Sequence, residues 1–353
     1  VTKLKGLKHL EDVKKRLANF LAFVGDKPVR DITRDDLKDY RDHLDRLPDR
    51  FQLRLKVADI RQAIALNEAR IRPFPTIIAK TVNLKYLGPV GRFFDWAAAE
   101  KLIERNPAAD IHSAQNVTEA AKSKRLPLNA DQISRLFAST AREPRTSALY
   151  WLPPLMLMSG ARLNELAQLR TGDVRLDYNG RPHLSVLCLD DDDDEGADVA
   201  AKARKREDSR GVKSAAARRL IPLHPELIAM GLLEFVASRK DRVRKDCQLF
   251  AELEPDRFGH WSAAISKRLN RRLRSLGITN PRLTAYSLRH NFRDACVSSG
   301  MLDETRKKLM GHQLQGMDAV YGNPRPLPEE PSPASTWVPI ASRVSRAVRA
   351  DRL

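Results

Sequence analysis

Tyr286-Ser287-Leu288-Arg289-His290, then Leu309-Met310-Gly311-His312, then Val320-Tyr321-Gly322, set an arginine, a histidine and a tyrosine in sequence near the C-terminal end of the chain. Arginine and histidine supply charge and hydrogen bonds to a phosphate, and a tyrosine hydroxyl can become covalently attached to it. The order therefore suits attack on a phosphodiester. Further upstream, Ser159-Gly160-Ala161-Arg162-Leu163-Asn164-Glu165-Leu166 places another arginine between the end of one apolar stretch and the start of a helix. On its own, Arg162 reads as a salt bridge to Glu165 or a surface charge.

The bulk properties fit a phosphate-rich partner. A chain of 353 residues exceeds one ordinary core and predicts two domains, at about 150 residues each. With 42% hydrophobic and 31% charged residues it can build real cores. Its net charge of +18 points to a polyanion, because neutralising phosphates releases counterions. The excess is shared: residues 1–115 hold 23 basic and 16 acidic side chains, the rest 40 and 29. Cys188, Cys247 and Cys296 fit neither a disulfide framework nor zinc spacing and predict a reducing cytoplasm. No apolar run is long enough to span a membrane, and the start carries no signal region.

Along the chain the periodicity is mainly helical. Leu10, Val13, Leu17, Phe20 and Leu21 predict one buried face, and Thr33 followed by Asp35 and Asp36 predicts a helix start. Leu87, Val90, Phe94 and Ala97 form another stripe that ends before Asn106-Pro107, with Gly88-Pro89 as an awkward first turn. Residues 113–125 read as a linker. Asn129 caps the next helix, and the apolar run Leu149–Met158 predicts a buried helix closing at Gly160. His183–Leu189 and Arg219–Leu223 read as strands, so the fold class is mainly α with a small antiparallel β-sheet. Between those strands lies a polar insert. Its acidic run Asp190–Glu195 lacks the turn and distal ligand of a calcium loop and reads as a solvated segment facing away from any duplex. After Tyr321 come a proline-rich stretch, Pro324–Pro333, and an end with spaced apolar residues.

Taken as an ordered set, these motifs resemble the tyrosine recombinase, or phage integrase, family over nearly the whole chain. The resemblance implies a helical core-type DNA-binding domain at 1–112, carrying Asp31-Ile32-Thr33 and Glu104-Arg105-Asn106-Pro107, and a linker at 113–125. It further implies an integrase-type catalytic domain at 126–327 and a tail at 328–353 exchanged between protomers. Arg162 matches the first catalytic arginine, and Glu165 the acidic residue that supports it. Lys213, ahead of Arg218-Arg219-Leu220-Ile221-Pro222-Leu223, falls in the slot of the strand-turn lysine, with Lys202 and Lys205 as competitors. Arg289 matches the second arginine, His312 the late histidine position and Tyr321, nine residues on, the nucleophile. Tyr286 stands where the family commonly has histidine. With a pKa of about 10, a phenol can orient a phosphate oxygen but cannot act as a histidine-like base. His290, beside Arg289, is out of register and reads as structural.

The function this implies is site-specific DNA recombination through a 3′-phosphotyrosyl intermediate, serving integration and excision of a bacterial or phage-derived mobile element. Double-stranded DNA would be the partner, held in a clamp of two domains, with a homotetramer on two sites during exchange and a place for an accessory DNA-bending protein. Neither cofactor nor metal is required, since cationic side chains supply the electrostatics. Two rivals stand beside it: a type IB topoisomerase-like enzyme that shares the chemistry but reseals the same strand, and a DNA-binding member that keeps the fold but has lost catalysis.

Overall fold

The computed structural model describes residues 2–114, 125–177, 179–186, 219–240 and 246–312, with side chains from Gly6 onward. The segment holding Cys188, Asp190–Glu195, Lys202, Lys205 and Lys213, most of the expected linker, and everything from residue 313, Tyr321 and the tail included, lie outside the described residues. What is described divides into two compact units, 3–114 and 125–312. None of its helices is long and apolar enough to cross a membrane.

The first unit is all helical: α1 (Thr2–Val24), α2 (Arg34–Arg46), α3 (Phe51–Arg54), α4 (Ile60–Glu68), α5 (Ala79–Thr81) and α6 (Gly88–Ala99). Helix α2 begins where Thr33 announces it. The Thr33 hydroxyl accepts from Asp36 N at 3.2 Å while Asp36 Oδ2 accepts from Thr33 N at 2.9 Å, a reciprocal capping box. Lys27 and the Thr33 amide both favour the ionised Asp36 and lower its pKa.

Two details depart from the periodic reading. Leu10 and Leu21 are exposed, and the buried face of α1 instead carries Phe20 and Phe23. Their rings pack on Tyr40 with centroids 5.1 Å away, so the helix turns to seat two large aromatics in preference to a leucine stripe. The second is Gly88-Pro89. A π-helical turn over Val82–Leu87 joins α5 to α6, and the Gly88 N–H reaches back five residues to Asn83 O. That wider turn sets Pro89 at the start of α6, where a missing N–H costs little, and Leu87, Val90, Phe94 and Ala97 remain buried.

The second unit surrounds a helix with no polar face. It contains α7 (Ala130–Thr140), α8 (Ala148–Ser159), α9 (Leu163–Ala167), β1 (Val174–Leu176), β2 (Pro182–Val186) and β3 (Arg219–Pro222). Then follow α10 (Pro225–Ala229), α11 (Leu232–Arg239), α12 (Ser262–Ser275), α13 (Ser287–Ser298) and α14 (Asp303–Met310). Asn129 caps α7 in a second capping box with Gln132. Every residue of α8 is buried, Pro153 and Pro154 included. These prolines leave the carbonyls of Leu149 and Tyr150 without their usual donors, so surrounding helices hold α8 as much as its own ladder does. Trp151 stacks on Phe235 at 5.4 Å and donates its indole N–H to Arg145 O at 2.6 Å.

The sheet is antiparallel in the order β1-β2-β3, with Leu184 opposite both Val174 and Ile221. The chain ahead of α7 is pinned to the helix of the Tyr286 motif. Leu128 N donates to Asn291 Oδ1 at 3.0 Å, Asn291 Nδ2 donates to Leu128 O at 2.7 Å, and Leu126 N donates to Arg282 O at 3.2 Å.

Candidate active site

Two chain reversals build the site. Helix α8 ends at Gly160 in the left-handed region, φ +63°, and α14 ends at Gly311 in the same way, φ +65°. Both positions demand glycine twice over, because a Cβ at Gly160 would fall on the Phe292 ring and one at Gly311 on the Arg219 guanidinium. Arg162 follows the first reversal and caps α9. Glu165, one turn on, accepts from the Arg162 backbone N–H at 2.8 Å and from Arg162 Nη1 at 3.0 Å. The Glu165 side chain is 1% exposed, whereas that of Arg162 is 23% exposed, so the carboxylate aims a guanidinium that still meets solvent.

Arg289, on the first turn of α13, is 1% exposed. Its Nη1 donates to Gly160 O, and its Nη2 donates to Met310 O at 2.6 Å and lies 3.0 Å from His312 Nε2. The carbonyl ends of α8 and α14 thus converge on one buried cation, a favourable place for positive charge. Burial pulls the Arg289 pKa down to about 10, with Tyr286 opposing that shift, and the group stays charged at neutral pH.

A guanidinium only donates, so His312 Nε2 accepts and, in the neutral ring, the proton sits on Nδ1. Burial, and then the positive charges of Arg289, Arg162, Arg306 and Arg219, press the His312 pKa down to about 4. The imidazole is neutral at pH 7 and keeps Nδ1–H as a donor.

Of the residues expected from sequence, Arg162, Glu165, Arg289 and His312 come together. Tyr286 precedes α13, half-buried, with its ring edge-on to His290 at 5.3 Å and the Arg125 guanidinium 5.2 Å from the ring centre. His290 packs on Tyr286 as a half-buried imidazole whose pKa burial lowers. Lys213 and Tyr321 are outside the described residues.

One member of the cluster is not legible in the sequence. Arg219 of β3, 8% exposed, donates from Nη2 to Glu165 Oε2 at 2.5 Å and from Nε to Leu309 O at 2.7 Å. It ties the sheet, α9 and the last turn of α14 to one carboxylate. In the sequence the basic pair Arg218-Arg219 marks only the approach to a strand, with no role of its own. Counting back by two from the buried Ile221, with Leu220 exposed between, puts Arg219 on the inner face.

Three guanidiniums against one carboxylate leave the site strongly positive and suited to an anion of tetrahedral phosphate type. Among the described residues no three His, Cys, Asp or Glu side chains are grouped to hold a metal ion.

No protein-family model matches the sequence, and no curated protein does. Solved structures do. A lambda integrase tetramer bound to a Holliday junction matches at 15% identity over 90% of this chain and 74% of that chain, with a TM-score of 0.53. A lambda integrase dimer bound to a COC′ core site matches at 15% identity over 91% and 92%, with a TM-score of 0.51. At such identities the likeness is one of architecture, and it agrees with the mainly helical build and small antiparallel sheet described above: the chain has the tyrosine recombinase fold.

Proposed function

We propose that this chain is a site-specific DNA recombinase of the integrase type, a DNA strand transferase. The observation that carries the reading is the convergence of Arg162, Arg289 and His312 on the reversals at Gly160 and Gly311, with Glu165 holding Arg162. In the reaction the Tyr321 hydroxyl attacks the scissile phosphate and gives up its proton to solvent, which later reprotonates Lys213. A phosphotyrosyl bond forms to the 3′ end, the bond to the 5′ oxygen breaks, and Lys213 gives that oxygen its proton. Arg162 and Arg289 draw charge from the non-bridging oxygens, and the His312 Nδ1–H donates to one of them. Tyr286 orients the phosphate. The free 5′-hydroxyl then attacks the partner duplex, so the energy of the broken bond is kept in the covalent link and no nucleotide is consumed.

In the same reading residues 1–112 form a DNA-binding domain and 113–125 a linker, 126–327 the catalytic domain, and 328–353 a tail passed between protomers. The lambda integrase structures with DNA, one of them a tetramer on a Holliday junction, favour duplex DNA as partner and a tetramer on two sites. Integration and excision of a mobile element, with an accessory bending protein, complete the proposal.

The test is covalent capture on a nicked suicide duplex carrying the sequences that flank the coding region. The parent protein should form a protein–DNA adduct stable to detergent, and Tyr321→Phe should form none. Adduct formation by Tyr321→Phe would remove Tyr321 from its role. A second reading, a DNA-binding member without catalysis, is favoured by Tyr286 in the histidine slot and by the use of Arg289 donors on protein carbonyls. It predicts binding of the duplex with no adduct from the parent.

A further inference from the structure

The loop between α4 and α5 presents a fully exposed isoleucine on a held backbone. Ile71 is 101% exposed and stands between Arg70 and Arg72. A single exposed aliphatic is ordinary; a rigid one flanked by two cations is less so. Rigidity comes from below. Asn67, 3% exposed, accepts from Phe74 N at 2.8 Å and donates to Phe74 O at 3.1 Å, closing the loop with one side chain. Asp49 N donates to Pro75 O at 2.8 Å, and Pro48 bridges Thr76. The Phe74 ring carries the Arg54 and Arg70 guanidiniums 4.8 and 4.3 Å from its centre.

Glu68, two residues before Arg70, is engaged by Arg46 at 2.8 Å, and Asp49, whose N–H holds Pro75, by Arg54 at 3.5 Å. Among the described residues Arg70 and Arg72 have no acidic partner. Two more basic residues, Arg50 and Lys56, hold the left-handed region at φ +54° and +60° on either side of α3. Such conformations are strained for residues with a Cβ and cluster at ligand clamps and other functional surfaces.

We infer that Ile71 is a wedge for duplex DNA. The loop enters the minor groove, Arg70 and Arg72 lie along its phosphate edges, and the isoleucine side chain enters a base step and partly unstacks it. The inference rests on the DNA-partner reading given above. A second copy of the chain suits this surface less well. One isoleucine is far from the roughly 1,200 Å² of a stable protein interface, and docking would desolvate both arginines. A groove walled by phosphates offers those arginines partners and needs only one aliphatic side chain at the centre.

The experiment uses the full chain and two duplexes of about 40 base pairs with the same mixed sequence, one continuous and one with a single-nucleotide bulge at its centre. A bulge is unstacked in advance, so a wedge binds it more tightly. Titrations by fluorescence anisotropy over a range of salt should show the parent preferring the bulge by at least about tenfold, the factor that about 1.4 kcal/mol of spared unstacking produces. Ile71→Ala should lose the preference while binding the continuous duplex within about threefold of the parent, and Ile71→Met should keep it. The pair Arg70→Gln and Arg72→Gln should lower the slope of log affinity against log salt by about 1.8. Ile71 is fully exposed, so an unchanged melting temperature is expected for its variants. An equal affinity of the parent for both duplexes, a preference retained by Ile71→Ala, or an unchanged salt slope would overturn the wedge. A changed oligomeric state in Ile71→Ala with unchanged DNA binding would assign the loop to a protein contact and overturn it too. Failure of the parent to bind either duplex would instead overturn the DNA reading of the whole chain.

Discussion

Replacing Arg219 by methionine should unseat the site without touching its surface. The Arg219 and Glu165 side chains are 6% and 1% exposed and meet at 2.5 Å. Methionine fills part of the volume but leaves Glu165 with Arg162 as its remaining guanidinium partner among the contacts described, and frees the Leu309 carbonyl that Arg219 Nε now satisfies. Removing one partner of a buried ion pair costs about 3–5 kcal/mol. For a domain of this size each kcal/mol moves the melting temperature by about 2–4 °C, so a fall of about 6–20 °C is expected. Urea and thermal unfolding of Arg219→Met, Glu165→Gln and the double variant measure it. Because the Glu165→Gln change removes the buried anion itself, the double variant should be less destabilised than the sum of the singles, by about 1–3 kcal/mol. In strand-cleavage assays the singles should lower kcat and leave duplex affinity within about threefold, as Arg219 has almost no surface to offer DNA. A fall of less than about 2 °C, or additivity within about 0.5 kcal/mol, would refute the view that Glu165 is held from both sides.

Gly160→Ala should cost about 2–5 kcal/mol in urea unfolding, from a left-handed φ combined with a methyl group driven into Phe292. The His312 pKa lies below the ordinary histidine value, so the unfolded chain binds this proton more readily than the folded one. The resulting stability is complete above about pH 6.5 and lost as pH falls toward 4; NMR titration of the imidazole and acid unfolding should agree on that window. Tyr286→His should raise the cleavage rate by about tenfold or more if the slot limits proton movement, measured by single-turnover cleavage of the suicide duplex. Thr33→Ala should destabilise the first unit by about 1 kcal/mol through loss of the capping box on α2, read by thermal unfolding.

The parts legible in the sequence are those whose physics is local. Thr33 and Asn129 announce their helices because each cap is closed by a residue three positions on. Arg162 and Glu165 are visible as a pair for the same reason, and Gly160 because an all-apolar helix must stop where only glycine turns easily. Arg219 escapes a sequence reading since its partner is 54 residues earlier in the chain and the carbonyl it also serves is 90 residues later. No local pattern records either contact. The α1 face differs from its periodic reading because periodicity counts leucines and phenylalanines alike, whereas packing on Tyr40 favours the larger rings. At Gly88-Pro89 the sequence shows the conflict, and a π turn resolves it. That Arg289 would spend its donors on the carbonyls of Gly160 and Met310 is likewise a fact of tertiary structure.

The double hydrogen bond between Leu128 and the Asn291 side chain has a mechanical consequence. Asn291 lies two residues beyond Arg289 on the same helix, so a pull along the chain at residues 125–128 is delivered to α13 within one turn of that arginine. The amide grips both the N–H and the C=O of Leu128, as a neighbouring strand would, and resists sliding in either direction. Slack in the connecting chain would be invisible to α13. Tension in it would be taken up at Thr284 and Arg282, by Arg125 and Leu126, and then at Asn291, two residues from the buried arginine.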